Sequence, residues 1–125
     1  MPFPWFWNSW LRPGRGAEIL AAGHLREQHY RIVASPYRAR QGEVDIVAWD
    51  GGQLVFVEVK SRQSDDAPEH AVTSRKRERI VRAARQYIAR RQLHDTPYRY
   101  DIVAVNFGPE GRPAFRIIKD AFREH

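Results

Sequence analysis

Residues Gly42–Arg62 read GEVDIVAWDGGQLVFVEVKSR. Two runs rich in Val, Ile and aromatic residues flank Gly51-Gly52, the signal for a β-hairpin closed by a two-residue turn. With the glycines in the turn, Trp49 faces Leu54, Val47 faces Phe56, Asp45 faces Glu58 and Glu43 faces Lys60. Side chains alternate with a period of two, so these four pairs share one face. The other face sets Val44, Ile46 and Ala48 against Val55, Val57 and Val59. It is wholly apolar, which predicts a covered, central hairpin rather than a solvated one.

The charged end of the first face then needs a reason. Opposed side chains in an antiparallel pair have Cβ atoms about 4.5–5.5 Å apart. Two carboxylates at that spacing repel, and either a raised pKa or a bound cation relieves them. Hard oxygen donors suit Mg²⁺ or Mn²⁺, which typically use one or two carboxylates and complete their shell with water and phosphate oxygens. Lys60, two residues beyond Glu58, shares its face and reaches a water or phosphate beside such a cation. On this reading, neutralising Glu58 costs the cation-free protein no stability.

Outward from the hairpin, the pattern predicts a helix over Arg15–His29, with Ala17, Leu20, Ala21 and Leu25 at near-helical spacing. Glu18 borders its inward face, where an acid requires a partner; it is a candidate to complete the metal shell. A strand over Tyr30–Ser35 and a basic loop lead into the hairpin strands, Glu43–Trp49 and Leu54–Ser61. After a polar loop, a long helix runs from Arg75 to Leu93. Its apolar stripe is Ile80, Ala83, Ala84, Tyr87 and Ile88. Strands Tyr98–Phe107 and Ala114–Ile118 close the chain. Asp101 beside Arg99 reads as a salt bridge, structural or supporting the site.

The order predicts an α/β fold with an αβββαβ core, a central mixed sheet flanked by helices. Residues 15–125 form one domain on this reading. Residues 1–14, with Trp5, Phe6, Trp7 and Trp10, are an aromatic extension that folds back on the domain or meets a partner or membrane surface.

The 125 residues contain 21 Lys and Arg against 15 acids, a net charge of +6. Such a surplus attracts polyanions, nucleic acid first among them. Arg38, Arg40, Arg62, Arg75, Lys76 and Arg79 are candidates for a phosphate-backbone track. The absence of cysteine excludes a disulfide scaffold, a thiolate zinc site and a cysteine nucleophile, and fits a cytoplasmic location. No apolar run approaches the ~20 residues that span a bilayer. No P-loop, GxGxxG or Ser-His-Asp signature is present.

The residues RGAE, GEVDIVA, FVEVKSR, AVTSRKRERI and RYDIVAV, in that order, resemble the YraN family of endonuclease-like proteins. These lie within the restriction-endonuclease-like PD-(D/E)XK nuclease superfamily. The likeness runs from about Arg15 to Val105, and its layout is similar to that of archaeal Holliday-junction resolvases. The Pro-Asp of the superfamily motif is Val44-Asp45 here. The resemblance implies a Mg²⁺- or Mn²⁺-dependent DNA endonuclease with Asp45, Glu58 and Lys60 as catalytic core and Glu18 as an added acid. Branched or otherwise structured DNA is among the substrates implied. A homodimer is the assembly to test. The alternative is a nucleic-acid-binding or adaptor module that keeps the fold without turnover.

Overall fold

The computed structural model describes residues 15–62, 74–108 and 110–124; the aromatic extension and the polar loop before the long helix lie outside them. The described elements are α1 (Arg15–Glu27), β1 (Arg31–Ala34), β2 (Tyr37–Ala39), β3 (Gly42–Val44), β4 (Ile46–Asp50), β5 (Gln53–Arg62), α2 (Ser74–Arg90), β6 (Tyr98–Phe107) and β7 (Pro113–Phe122). A five-stranded sheet has the order β1-β4-β5-β6-β7. Only β5 and β6 run parallel, joined by the α2 crossover. The fold is therefore α/β with a mixed sheet, as the element order predicts.

Each face of the sheet is covered. Ala17, Ala21, Ala22 and Leu25 of α1 pack on Ile46, Ala48, Val55, Val57 and Val59. Ile80, Ala83, Ala84, Tyr87 and Ile88 of α2 pack on Val47, Leu54, Phe56 and Ile102. Each fully buried large apolar side chain contributes about 1.5–3 kcal/mol, so the stripes of the two helices fix which face each covers. Strand β4 and the half of β5 nearer the turn are apolar on both sides for that reason.

The hairpin register is the one expected: Trp49 pairs with Leu54, Val47 with Phe56 and Ile46 with Val57. Beyond Ile46 the structure departs from expectation. The run predicted as one strand, Glu43–Trp49, breaks at Asp45 into β3 and β4. The basic loop forms β2 and pairs with β3 in a separate two-stranded sheet, Arg38 opposite Glu43. Glu43 accordingly bonds to Arg38, Nε to Oε1 3.4 Å, instead of facing Lys60. Val44 changes sides and joins the α2 core. This small hairpin lies hard against α2: a Cβ on Gly42 would run into the carbonyl oxygen of Arg79. Only glycine permits that approach.

Both helices end earlier than their apolar patterns suggest. At α1, the Tyr30 amide donates to Leu25 O (2.9 Å) and the His29 amide to Arg26 O (3.0 Å). At α2, the Leu93 amide donates to Ile88 O (2.9 Å) and the Gln92 amide to Ala89 O (3.3 Å). These are Schellman closures. They place His29 (φ 71°) and Gln92 (φ 55°) in the left-handed region, where glycine is the usual occupant.

Candidate active site

The break at Asp45 builds the site. Among the described residues the β4–β5 ladder ends at the Ile46–Val57 pair, and the amide of Val59 beyond it requires an acceptor. Asp45 Oδ2 supplies it at 2.8 Å. The side chain is thereby held beside Glu58, the next residue along β5. Glu58 is 3% exposed and faces α2. The two carboxyls meet as expected, although through the break and not through a continuous ladder.

The electrostatics follow from that proximity. Burial pushes the Asp45 carboxyl up first, then the charge of Glu58 and a hydrogen bond to it, with a smaller push from Glu18; the Val59 amide opposes them. The result is a pKa raised to about 8. Asp45 is thus the protonated member of the pair at neutral pH.

Glu58 has cations of its own. Lys76 Nζ lies 2.8 Å from its Oε2, and Lys60 Nζ lies 3.7 Å from the same atom. Burial lowers the pKa of Lys60, and the hydrogen bond and charge of Lys76 lower it further. Burial also works against the ammonium of Lys76, but its bond to Glu58 and the charge there outweigh burial and raise its pKa. Lys76 was expected on the phosphate track; its head instead enters the carboxylate pocket. The clue was its place four residues before Ile80, on the stripe that faces the sheet.

This pairing corrects the expectation for Glu58. Removing its charge leaves two ammoniums in a half-buried pocket without it, so Glu58→Gln is expected to lower the melting temperature. Asp45→Asn is the benign neutralisation. Its amide oxygen still accepts from Val59 and its NH₂ donates to Glu58. The sign follows from proton binding. Between the ordinary 3.8 and about 8, folded Asp45 holds a proton that the unfolded chain has lost. Stability from this group therefore falls as pH rises through that window. Asp45→Asn should melt at the wild-type temperature in acid and several degrees above it at pH 8, as read by thermal denaturation across pH. A mutant that melts lower at pH 8 contradicts the protonated assignment.

Glu18 stands on the first turn of α1, and its charge is felt at Asp45. Among the described residues, no three His, Asp or Glu side chains converge as a complete metal cage. Two carboxyl groups do converge, with hard oxygen donors, one of them kept protonated by burial first and by its neighbour second. That donor set fits a Mg²⁺- or Mn²⁺-like ion that keeps several waters.

The pocket over the pair, about 180 Å³, is lined by Glu43, Asp45, Glu58, Lys76 and Arg79. It adjoins a second cleft of about 560 Å³ that shares Glu43 and Arg79 and adds Arg38, Arg40 and Arg75. The β2–β3 hairpin and the first half of α2 are its walls. Four of the expected track residues therefore gather in one cleft beside the acids. The side chain of Arg62 lies outside the described residues. Glu43 on the pocket wall is a contribution that only the folded hairpin reveals.

Residues 17–105 match the model of a family described as "Uncharacterised protein family UPF0102". The chain belongs to UPF0102, the YraN family. It is 45% identical to a UPF0102 protein of Symbiobacterium thermophilum over 113 residues, covering 89% of this chain and 96% of that one. It is 46% identical to a UPF0102 protein of Syntrophus aciditrophicus, over 90% of this chain and 89% of that one. A UPF0102 protein of Solibacter usitatus is 44% identical over 87% and 84%. The UPF0102 match spans Glu18, the acid pair, Lys60 and the whole of α2, so the site lies inside the shared region. Among the described residues of this UPF0102 chain, no helix is long and apolar enough to cross a membrane.

Proposed function

We propose that this protein is a divalent-metal-dependent endonuclease that hydrolyses phosphodiester bonds in DNA. The observation that carries the reading is the pairing of half-buried Asp45 with buried Glu58, with Lys60 beside them, opening onto a cleft lined by Arg38, Arg40, Arg75 and Arg79. Asp45 and Glu58 would hold Mg²⁺ or Mn²⁺, with Glu18, whose charge is felt at Asp45, adding to the negative charge of the site. The bound cation supplies Lewis-acid charge that activates water and neutralises the reacting phosphate. Lys60, its pKa depressed, takes the proton of the attacking water or donates to the anionic phosphate oxygens. The arginines hold the backbone on either side, which makes binding steeply salt-dependent.

A second reading, a nucleic-acid-binding module without turnover, draws on the 2.8 Å contact that closes Lys76 onto Glu58. The test separates the two. Purified protein is incubated with duplex, single-stranded, flapped and branched DNA in Mg²⁺, in Mn²⁺ and in EDTA. Scission with cation and none with EDTA is the expected result. DNA that is bound but uncut under every condition favours the module.

A further inference from the structure

Two lysines converge on one oxygen of Glu58, and one of them becomes superfluous once a cation arrives. We propose that Lys76 is a displaceable counter-ion: it neutralises Glu58 while the site is empty of metal, and it moves out to a phosphate of the bound strand when a divalent cation takes its place. The inference rests on the reading of Asp45 and Glu58 as cation ligands.

A carboxylate as buried as Glu58 is costly unless paired, and Lys76 supplies the closer partner, 2.8 Å against 3.7 Å for Lys60. A divalent ion on the same oxygen meets two ammoniums and expels the more exposed one. That one is Lys76. Its side chain is 44% exposed against 18% for Lys60, and it stands on the first turn of α2, not within a central strand. Its way out leads past Arg79, which lines both the carboxylate pocket and the arginine cleft. A phosphate in that cleft offers the displaced ammonium a new partner. Cation and DNA then bind cooperatively, because a single side chain serves Glu58 in one state and the strand in the other. By linkage the coupling acts equally in both directions.

The test is calorimetric titration of Ca²⁺ and Mn²⁺ into wild type and Lys76→Met, with DNA affinity measured in Ca²⁺ and in EDTA. Lys76→Met should bind cation about tenfold more tightly, the scale of one charge-assisted hydrogen bond. The gain in DNA affinity that Ca²⁺ gives wild type should vanish in the mutant. If Lys76→Met fails to fold, wild type carries the test: saturating Ca²⁺ should raise acetylation of Lys76 severalfold, read by mass spectrometry, and leave Lys60 unchanged. A mutant that binds cation as weakly as wild type or more weakly, or labelling of Lys76 that Ca²⁺ leaves unmoved, overturns the displacement and leaves the acid pair as a metal site. Wild type that binds no cation overturns both.

Discussion

Lys60→Ala is expected to lower the rate of DNA cleavage by about 10²-fold or more, the scale of losing a proton-transfer or charge-stabilising group. The loss should fall on kcat. DNA affinity in Ca²⁺ should stay near the wild-type value, since Lys60 is one of 21 Lys and Arg and the cleft arginines remain. Melting temperature should change little, because Lys76 still neutralises Glu58 at 2.8 Å. If cleavage by wild type and by Lys60→Ala proceeds equally fast, the role given to Lys60 is wrong. A merely structural lysine would reverse the pattern, lowering the melting temperature and sparing the rate of what remains folded.

Asp101→Ala is expected to have the largest effect on stability. Asp101 is fully buried on β6 and accepts from Arg99 Nε (2.9 Å) and from the amide of Asp120 (2.9 Å). Arg99 reaches onward to Asp50 (2.8 Å), Gln53 (2.7 Å) and Tyr30 (3.0 Å), drawing β4, β5, β6, β7 and the turn after α1 together. Removing one member of a buried ion pair costs about 3–5 kcal/mol, because the other charge is left short of its partner. For a chain of this size that lowers the melting temperature by on the order of 10 °C. Thermal denaturation with Asp101→Asn beside it is the check; the amide retains acceptors and should cost less. A melting temperature within a degree or two of wild type would show that Arg99 is satisfied without Asp101. The partners of this network gather towards the Gly51 turn, on the sheet face opposite to Glu58. Of the two roles the sequence left open for the salt bridge, the structural one is the one seen.

Much of the fold was legible because its signals are local. Gly51-Gly52 between alternating apolar runs sets the hairpin register, and the α2 stripe sets the face that α2 covers. What was not legible depends on contacts distant in sequence. Nothing in GEVDIVAW marks a break at Asp45, since Val44 and Ile46 continue the alternation. The break arises because β3 leaves β5 to pair with β2, where Gly42 lets the hairpin close on the backbone of α2. The helix ends are hidden in the sequence for a related reason: His29 and Gln92 occupy positions where glycine would be the signal. At the site, the approach of Asp45 to Glu58 could be read from the hairpin register, but not the break and the Val59 bond through which they meet. The capture of Glu58 by Lys76 could not, since both sides of the polar loop must fold before the two residues meet. That contact changes which carboxylate tolerates neutralisation.

The most direct test of the acid pair as a metal centre is anomalous diffraction from crystals soaked in Mn²⁺, at a pH above the Asp45 value of about 8. The expected result is an ion held by Asp45 and Glu58, with Lys76 drawn away from Glu58. Manganese bound elsewhere, with Asp45 still hydrogen-bonded to Glu58 and Lys76 still 2.8 Å from it, would contradict the metal site and the nuclease reading that depends on it.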